Sequence, residues 1–368
     1  MYKNCYKNKK VIVTGNTGFK GAWLTIWLIK LGAKVVGISK DIPTDPSIFE
    51  ELKLNHKIEH YFENICDLDK VKKIIIDAKP DYIFNLAAQP IVSKSYEDPI
   101  ETFNTNVIGT LNILESLKFL SNKCKAIMIT SDKCYNNIEQ IWGYKENDRL
   151  GGLDPYSASK ASAELVIRTF VHSYFNEPDS NIKIVSVRAG NVIGGGDWAL
   201  NRIVPDCIKA WASNQPVSIR NPYSTRPWQH VLEPLSGYLR VGQLMNDNKI
   251  MLKNGEPYNF GPNSDQNHTV LELLEQIKVD FKAIKIKKYF NIDSNSSFHE
   301  AGLLKLNCDK ALFQLQWKPV LNFKQTAFFT SKWYDNYYNN EIDLYDFTEN
   351  QIDEYYELAK IKSISWAI

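Results

Sequence analysis

The chain has 368 residues, which suits one large domain or two coupled ones rather than a single small core. Its 44 lysines and arginines nearly balance 42 acidic residues. The formal net charge of +2 therefore argues against a strong field for nucleic acid or for an anionic membrane. Six scattered cysteines without a C-x-x-C pair are typical of reduced thiols. The apolar run ending at Thr14 is too short for a signal peptide or a membrane span, so we expect a cytoplasmic protein.

A glycine-rich turn follows the first predicted strand. Residues 11–14 form an apolar, β-branched run suited to a strand buried on both faces, and residues 15–21 follow with glycine at every third position. A helical pattern and then a second strand at residues 35–38 come next. Glycines in this context allow a pyrophosphate to approach backbone N–H groups at a helix N-terminus. The segment therefore predicts dinucleotide binding.

Strands and helices alternate over roughly the first 190 residues. Further strands are predicted at residues 61–64, 81–86, 126–130 and 181–188, and helices at 68–79, capped by Asp67, and from Pro99 towards Leu120. Loop-rich sequence with arginines follows, and later helices are predicted near 270–279 and 324–338. This pattern predicts an α/β fold, a Rossmann-type doubly wound parallel sheet with a smaller C-terminal α/β lobe. We expect the Rossmann domain at 1–190 and 222–262, the substrate-binding lobe at 191–221 and 263–338, and a tail at 339–368.

A tyrosine and a lysine four residues apart follow a helix start. Asp154 and Pro155 are good N-terminal helix residues, so Tyr156 and Lys160 should share one helix face. A nearby ammonium is expected to lower the pKa of the phenol, and each unit is worth roughly 1.4 kcal/mol. Such a tyrosine could exchange a proton with a substrate hydroxyl. No metal site is predicted, because His56 and His60 lack an obvious third ligand.

The glycine turn, a serine at the end of a later strand and the Tyr156–Lys160 pair together resemble the short-chain dehydrogenase/reductase superfamily. Longer strings, at residues 17–23, 86–90, 96–99, 130–135, 188–198 and 226–233, resemble the CDP-glucose 4,6-dehydratases of its extended branch. The similarity runs from the first strand to Trp333. Asn16 departs from it, since many relatives carry a histidine there.

The resemblance implies NAD as cofactor and a nucleotide sugar as substrate. The residues it assigns to the cofactor are Gly15, Thr17, Gly18, Phe19, Lys20, Ser39, Asn64, Ile65, Leu86, Ala87, Ala88, Asn106, Tyr156 and Lys160. Those assigned to the substrate are Gln89, Tyr96, Asn191, Arg202 and Arg226. The family often ends its second strand with an acid for the adenosine ribose. Here Ser39 and Lys40 stand instead, and a lysine could meet the 2′-phosphate of NADP, so the choice of dinucleotide stays open at this point.

Dehydrating a hexose across C5–C6 requires more than a dehydrogenase site. Oxidation at C4 makes the C5 hydrogen acidic, water then leaves, and a hydride returns to C6. An acid for the C6 oxygen and a base for C5–H are needed beside Ser131, Tyr156 and Lys160. The resemblance assigns these roles to Asp132 and Lys133; the alternative is a salt-bridging turn at a strand end.

Other functions remain compatible with the sequence. An epimerase, or a dehydratase for a UDP-, GDP- or dTDP-hexose, would share the core motifs. A noncatalytic dinucleotide sensor is a further alternative, although it would be expected to lack Tyr156 or Lys160. The resemblance also implies a homodimer or homotetramer, paired through helices near 99–120 and 156–174, and a role in deoxysugar synthesis for lipopolysaccharide O-antigen.

Overall fold

A computed structural model describes residues 1–177, 179–246, 252–282, 289–292, 303–339 and 342–368. Its strands are β1 (Lys10–Thr14), β2 (Lys34–Ser39), β3 (Glu59–Phe62), β4 (Tyr82–Asn85), β5 (Cys124–Ile129), β6 (Ile182–Ala189), β7 (Val192–Ile193), β8 (Val217–Ile219), β9 (Thr225–Arg226), β10 (Gln229–His230), β11 (Pro257–Phe260), β12 (His268–Thr269) and β13 (Phe290–Ile292). Its helices are α1 (Phe19–Lys30), α2 (Ile48–Glu51), α3 (Leu68–Ala78), α4 (Val92–Glu97), α5 (Pro99–Phe103), α6 (Gly109–Leu117), α7 (Pro155–Tyr174), α8 (Ile203–Ala212), α9 (Leu232–Leu244), α10 (Val270–Asp280), α11 (Asp309–Leu315), α12 (Phe323–Asn339) and α13 (Leu344–Ile361).

The central sheet has the strand order β3-β2-β1-β4-β5-β6-β11, and every neighbouring pair is parallel. The chain winds outward in one direction from β1 to β3 and in the other from β4 onward. Ligands of such sheets bind beyond the carboxyl ends of the strands where the winding reverses, which here lies between β1 and β4. The predicted Rossmann-type α/β fold is confirmed.

Both faces of this sheet are buried, which explains its apolar, β-branched strands. In β1, Val11 and Val13 pack into one hydrophobic cluster with α1 and α9, whereas Ile12 packs into another with α3, α6 and α7. All three side chains are fully buried, and each contributes roughly 1.5–3 kcal/mol. Helices on both faces are thus a direct consequence of strands without a polar side.

Strand and helix ends agree with the predictions in most places. Asp67 and Asp154 cap α3 and α7 as predicted, accepting the N–H groups of Lys70 at 3.2 Å and Ser157 at 2.9 Å. The third strand is predicted at 61–64 and lies at Glu59–Phe62. Its bounds are hard to predict because this sheet-edge strand is largely exposed and has no clear apolar pattern. The predicted helix from Pro99 towards Leu120 contains a π-helical turn at Asn104–Ile108.

The smaller C-terminal lobe is built from α8, α10 and α12 with short strand pairs, β7 with β10, β8 with β13 and β9 with β12. One hydrophobic cluster extends from the sheet into this lobe, joining Val13 of β1 to Trp211 of α8 and Trp333 of α12. The boundaries at 190, 222 and 262 stay a prediction. Residues 283–288 and 293–302 of the predicted lobe lie outside the described residues.

The segment after residue 341 packs against the Rossmann domain. Tyr355 of α13 and Trp366 are fully buried, and the Trp366 ring stacks on Tyr2 at 5.0 Å between centroids. The Tyr2 N–H donates to the Trp366 carbonyl at 2.9 Å. The Tyr355 hydroxyl donates to the buried carboxyl of Glu233 at 2.8 Å. The segment therefore packs into the same hydrophobic cluster as α1 and α9.

All six cysteines are free thiols, as the sequence predicts. Across the described ranges, no helix has both the length and the apolar character needed to cross a membrane.

Candidate active site

The glycine turn brings three backbone segments into close contact at the carboxyl end of β1. Gly15 has φ +70°, and a Cβ there would lie 2.8 Å from the Ala87 nitrogen. A Cβ on Gly21 would lie 2.1 Å from the Gly15 carbonyl oxygen, so both positions require glycine. Helix α1 starts after Gly18 with no side chain capping its first N–H groups. Free N–H groups at a helix N-terminus suit the phosphates of a dinucleotide.

A cleft of about 1400 Å³ opens from this turn across the sheet edge to the smaller lobe. That volume exceeds a typical single small-molecule site and accommodates two ligands side by side. All but one of the predicted cofactor residues line it: Gly15, Thr17, Gly18, Phe19, Lys20, Ser39, Asn64, Ile65, Leu86, Ala87, Ala88, Tyr156 and Lys160.

Asn106 is the predicted cofactor residue that does not line the cleft. Its carboxamide accepts the Gln89 N–H at 2.9 Å, and its amide group donates to the Gln89 carbonyl and to the Ser159 hydroxyl. Only 1% of the residue is exposed. In the described structure, Asn106 therefore lies outside the cleft and links the segment that follows β4 to helix α7 by hydrogen bonds.

The end of β2 is occupied by hydrogen bonds within the protein. The Ser39 hydroxyl donates to the Asn16 side-chain oxygen at 2.7 Å and accepts the Thr17 N–H at 3.3 Å. Lys40 is ion-paired with Glu101 at 3.0 Å. The ammonium considered for a 2′-phosphate thus already has a carboxylate partner.

The predicted catalytic residues meet at the carboxyl end of β5. The Ser131 hydroxyl donates to Asp132 Oδ1 at 2.9 Å, and Lys133 Nζ lies 3.0 Å from Asp132 Oδ2. The Asp132 side chain is 3% exposed and the Lys133 side chain 32%. Tyr156, in the first turn of α7, and Lys160, one turn later, line the same cleft.

The expected lowering of the Tyr156 pKa is wrong for this structure. Burial raises the pKa of the phenol to about 12, although a hydrogen bond with Ser131 acts in the opposite direction. The Lys160 ammonium lies 6.0 Å from the Tyr156 ring centroid and is not among the principal causes of the pKa shift. Desolvation therefore outweighs the effect of the sequence spacing, and burial favours the neutral phenol in this structure.

Buried cations collect around the cleft. Burial lowers the pKa of Lys160 to about 8, against the opposing effects of Cys134 and Glu164. Burial and the neighbouring Arg202 lower the pKa of Lys20 to about 8. An anionic ligand such as a phosphate would stabilise the charged form of these lysines. Within the described ranges, no group of three His, Cys, Asp or Glu side chains could hold a metal ion.

Predicted substrate residues line the other end of the cleft, with one exception. Gln89, Asn191, Arg202 and Arg226 are part of the lining, whereas Tyr96 on α4 lies outside it. Arg202 is held at 2.8 Å by the buried carboxylate of Asp197, a cleft residue to which the sequence assigned no role. The side-chain oxygen of Asn191 is buried without a protein partner.

Two further cleft residues, Arg220 and Asn221, follow β8, which pairs with a strand from a distant part of the chain. No spacing in the sequence connects them to Tyr156. The sequence signal for this region is a loop-rich segment with arginines. It predicts a substrate-binding lobe but does not identify Arg220 and Asn221 as cleft residues.

Among solved structures, an epimerase of Methanothermobacter thermautotrophicus superimposes with a TM-score of 0.78 at 23% identity, covering 92% of this chain and 97% of that one. A dTDP-glucose 4,6-dehydratase of Bacillus anthracis, solved in complex with NAD, superimposes with a TM-score of 0.73 at 21% identity, covering 89% and 97%. These similarities show a shared fold.

The sequence comparisons are more specific. The family described as GDP-mannose 4,6 dehydratase matches residues 12–328. A CDP-glucose 4,6-dehydratase of Salmonella typhimurium is 44% identical over 356 residues, which cover 96% of this chain and 98% of that protein. With matches that extend over nearly the whole fold and both ends of the cleft, the chain belongs to the GDP-mannose 4,6 dehydratase family and, within it, to the branch of the CDP-glucose 4,6-dehydratases.

Proposed function

We propose that this protein is an NAD-dependent hydro-lyase that converts CDP-glucose to CDP-4-keto-6-deoxyglucose. The observation that carries the proposal is the Asp132–Lys133 pair beside Ser131 and Tyr156 in one cleft. A dehydrogenase or an epimerase has no need of an additional acid and base at that place. The identity of 44% to a CDP-glucose 4,6-dehydratase supports the choice of substrate.

The cleft fits NAD at the glycine turn. Gly15 and Gly21 permit close backbone approach, and the uncapped N-terminus of α1 together with Lys20 suits the pyrophosphate. Lys160 would hold ribose hydroxyls, and Ser39 lies where the adenosine ribose is expected. The Lys40–Glu101 ion pair favours NAD over NADP, because a 2′-phosphate would approach that carboxylate. When bound, NAD accepts a hydride from C4 of the sugar and later returns it to C6.

Proton transfer at C4 and C6 can be connected through Ser131. As Tyr156 accepts the proton of the C4 hydroxyl, its own proton passes through the Ser131 hydroxyl, which donates at 2.9 Å, to Asp132. Tyr156 then needs no phenolate form, which agrees with its raised pKa of about 12. Asp132 gives this proton to the departing C6 hydroxyl, and water leaves.

Lys133 is the base for C5–H in this proposal. Lys133 Nζ lies 3.0 Å from the Asp132 carboxylate, and protonation of Asp132 by the relay breaks this ion pair. The Lys133 side chain is 32% exposed, so its proton can leave to water. Lys133 then takes the C5 proton and returns it to C5 when the methyl group forms at C6. The neutral amine regains a proton from water before the next turnover.

The substrate pyrophosphate is proposed to bind Arg202 and Arg226, with Asn191 beside them. Asp197 fixes the Arg202 guanidinium at 2.8 Å, and a pre-oriented guanidinium can bind two phosphate oxygens at once. Burial disfavours the charged forms of Lys20 and Lys160, and the phosphates of the two ligands would stabilise these charges. Gln89 would contact the sugar.

We further propose that the protein is a cytoplasmic homodimer or homotetramer that serves deoxysugar synthesis for lipopolysaccharide O-antigen. Apolar side chains on α5 and α7 are exposed in the single chain, with Ile100 at 73% and Leu165 at 52%. Pairing of α5–α6 and α7 with a second copy would cover them. Light scattering of the purified protein measures the mass and separates a dimer from a tetramer.

A panel of nucleotide hexoses tests the proposed function. CDP-glucose, dTDP-glucose, UDP-glucose and GDP-mannose are each incubated with the protein and NAD, and the enone chromophore of a 4-keto-6-deoxy sugar is measured in alkali. The proposal expects turnover with CDP-glucose. A galactose epimer without the chromophore would instead identify an epimerase.

A further inference from the structure

A fully buried ion pair lies beneath the proposed catalytic residues. Glu164 follows Lys160 by one turn of α7, and its Oε2 lies 2.7 Å from Nη2 of Arg188 on β6. Their side chains are 4% and 3% exposed. Buried charges of this kind are stable only when each is paired and hydrogen-bonded, so the groups around them are held in fixed positions.

The Glu164 carboxylate also binds the strand that carries the catalytic segment. The Thr130 hydroxyl donates to Oε1, and the Ser186 hydroxyl donates to Oε2 at 2.9 Å. Thr130 immediately precedes Ser131. The Glu164 carboxylate on α7, the helix that carries Tyr156, is therefore hydrogen-bonded to Thr130 at the end of β5.

Arg188 binds the other side of the catalytic segment. Its Nη1 donates to the Tyr135 hydroxyl at 2.7 Å and to the Glu146 carbonyl at 3.1 Å. Tyr135 follows Lys133 by two residues, and its hydroxyl donates to the Asn259 side chain at 2.8 Å. The Ser131–Lys133 segment is thus flanked by Thr130 and Tyr135, both held by the same buried pair.

We propose that Glu164 and Arg188 are positioning residues that hold Asp132 and Lys133 in place relative to Tyr156 and Lys160. This inference rests on the proposed function, because it concerns the alignment of the dehydrating pair with the oxidising pair. Neither Glu164 nor Arg188 lines the cleft, so they act through the residues that they bind.

The pair also acts on the charge of Lys160. The negative charge of Glu164 raises the pKa of Lys160 and thereby opposes the effect of burial. The other titratable groups that act on this ammonium are Cys134, whose thiolate form would also raise the pKa, and Lys20, whose charge opposes it. Removing the carboxylate should therefore release the Lys160 proton at lower pH.

The test compares Glu164→Gln with the double variant Glu164→Gln/Arg188→Met. The single variant leaves the Arg188 charge buried without its partner and could fail to fold. The double variant removes both charges and avoids this. Glu233→Gln is the matched control, because Glu233 is another fully buried carboxyl outside the cleft. Turnover of CDP-glucose, bound reduced cofactor, and NADH binding against pH are measured for each.

We expect kcat to fall on the order of a hundredfold in the Glu164 variants, with KM nearly unchanged, because misplacement of reacting groups affects the chemical step. Little reduced cofactor should accumulate, because the relay to Asp132 also serves the oxidation at C4. The alkaline limb of NADH binding should move to lower pH in Glu164→Gln, which removes the negative charge alone. Wild-type kcat in the double variant would overturn the inference, as would an unshifted limb in Glu164→Gln or an equal loss in Glu233→Gln.

NADH binding requires no turnover, so it separates this inference from the proposed function. A wild-type protein that dehydrates no nucleotide hexose would remove the proposed function. In that case a shifted alkaline limb in Glu164→Gln would still support the coupling of Glu164 to Lys160, and an unshifted limb would overturn it.

Discussion

Asp132→Asn tests the carboxyl group that, in the proposed mechanism, receives the proton released at C4 and gives it to the C6 oxygen. The amide has the size of the carboxylate, which matters because a Cβ built on Gly190 would already lie 3.1 Å from Asp132 Oδ2. The variant keeps an acceptor for the Ser131 hydroxyl but loses the charge that holds Lys133 at 3.0 Å. It cannot receive the relayed proton and pass it to the C6 oxygen.

The expected loss follows from the two roles of this carboxyl group. Proton transfer by a positioned side chain contributes about a hundredfold to ten-thousandfold, or ~3–5 kcal/mol of the barrier. Because the same carboxyl group receives the proton from C4, oxidation and dehydration should both slow. Keto-deoxy sugar should then form slowly, and little reduced cofactor, measured by its near-ultraviolet absorbance, should accumulate on the enzyme. Asp67→Asn, which alters a helix cap outside the cleft, is the control. Dehydration at the normal rate in Asp132→Asn would refute the role of the carboxyl group.

Tyr156→Phe should reduce turnover by about a thousandfold while NAD binding, measured by calorimetry, stays close to normal, because only the proton-carrying hydroxyl is lost; normal turnover would contradict its role. Burial raises the pKa of Glu233 from its ordinary value of 4.5 to about 7, so the folded protein retains a proton that the unfolded chain releases. Wild type should therefore lose about 3 kcal/mol relative to Glu233→Gln as pH rises from 4.5 through 7, measured by urea unfolding, and equal pH dependence of the two would show that Glu233 does not titrate this way. Trp366→Ala should cost about 3–5 kcal/mol in urea unfolding with near-normal activity, since the fully buried ring lies outside the cleft; an unchanged unfolding midpoint would contradict the packing of this segment.

The parallel sheet could be predicted from the sequence because its strands are buried on both faces. A run such as residues 11–13 is apolar at every position. The glycines after it are required because a Cβ at Gly15 would lie 2.8 Å from the Ala87 nitrogen. Helix caps at Asp67 and Asp154 are equally local, since each side chain binds an N–H three residues away. Local chemistry of this kind is readable from spacing alone.

Features that depend on distant segments could not be predicted. The Tyr156–Lys160 spacing gives a shared helix face but not the extent of burial, and burial reverses the expected pKa shift. The orientation of Asn106 beneath Gln89 depends on the packing of α7 behind it. The docking of Trp366 on Tyr2 joins the two ends of the chain, and no periodicity near either residue indicates it.

Intramolecular hydride transfer is the central claim, and one isotopic measurement tests it directly. CDP-glucose carrying deuterium at C4 is converted by the wild-type protein with a catalytic amount of NAD, and the product is examined by NMR. The account predicts deuterium in the C6 methyl group of the 4-keto-6-deoxy sugar and many turnovers for each NAD. Deuterium recovered in free reduced cofactor, with NAD consumed in proportion to product, would contradict it.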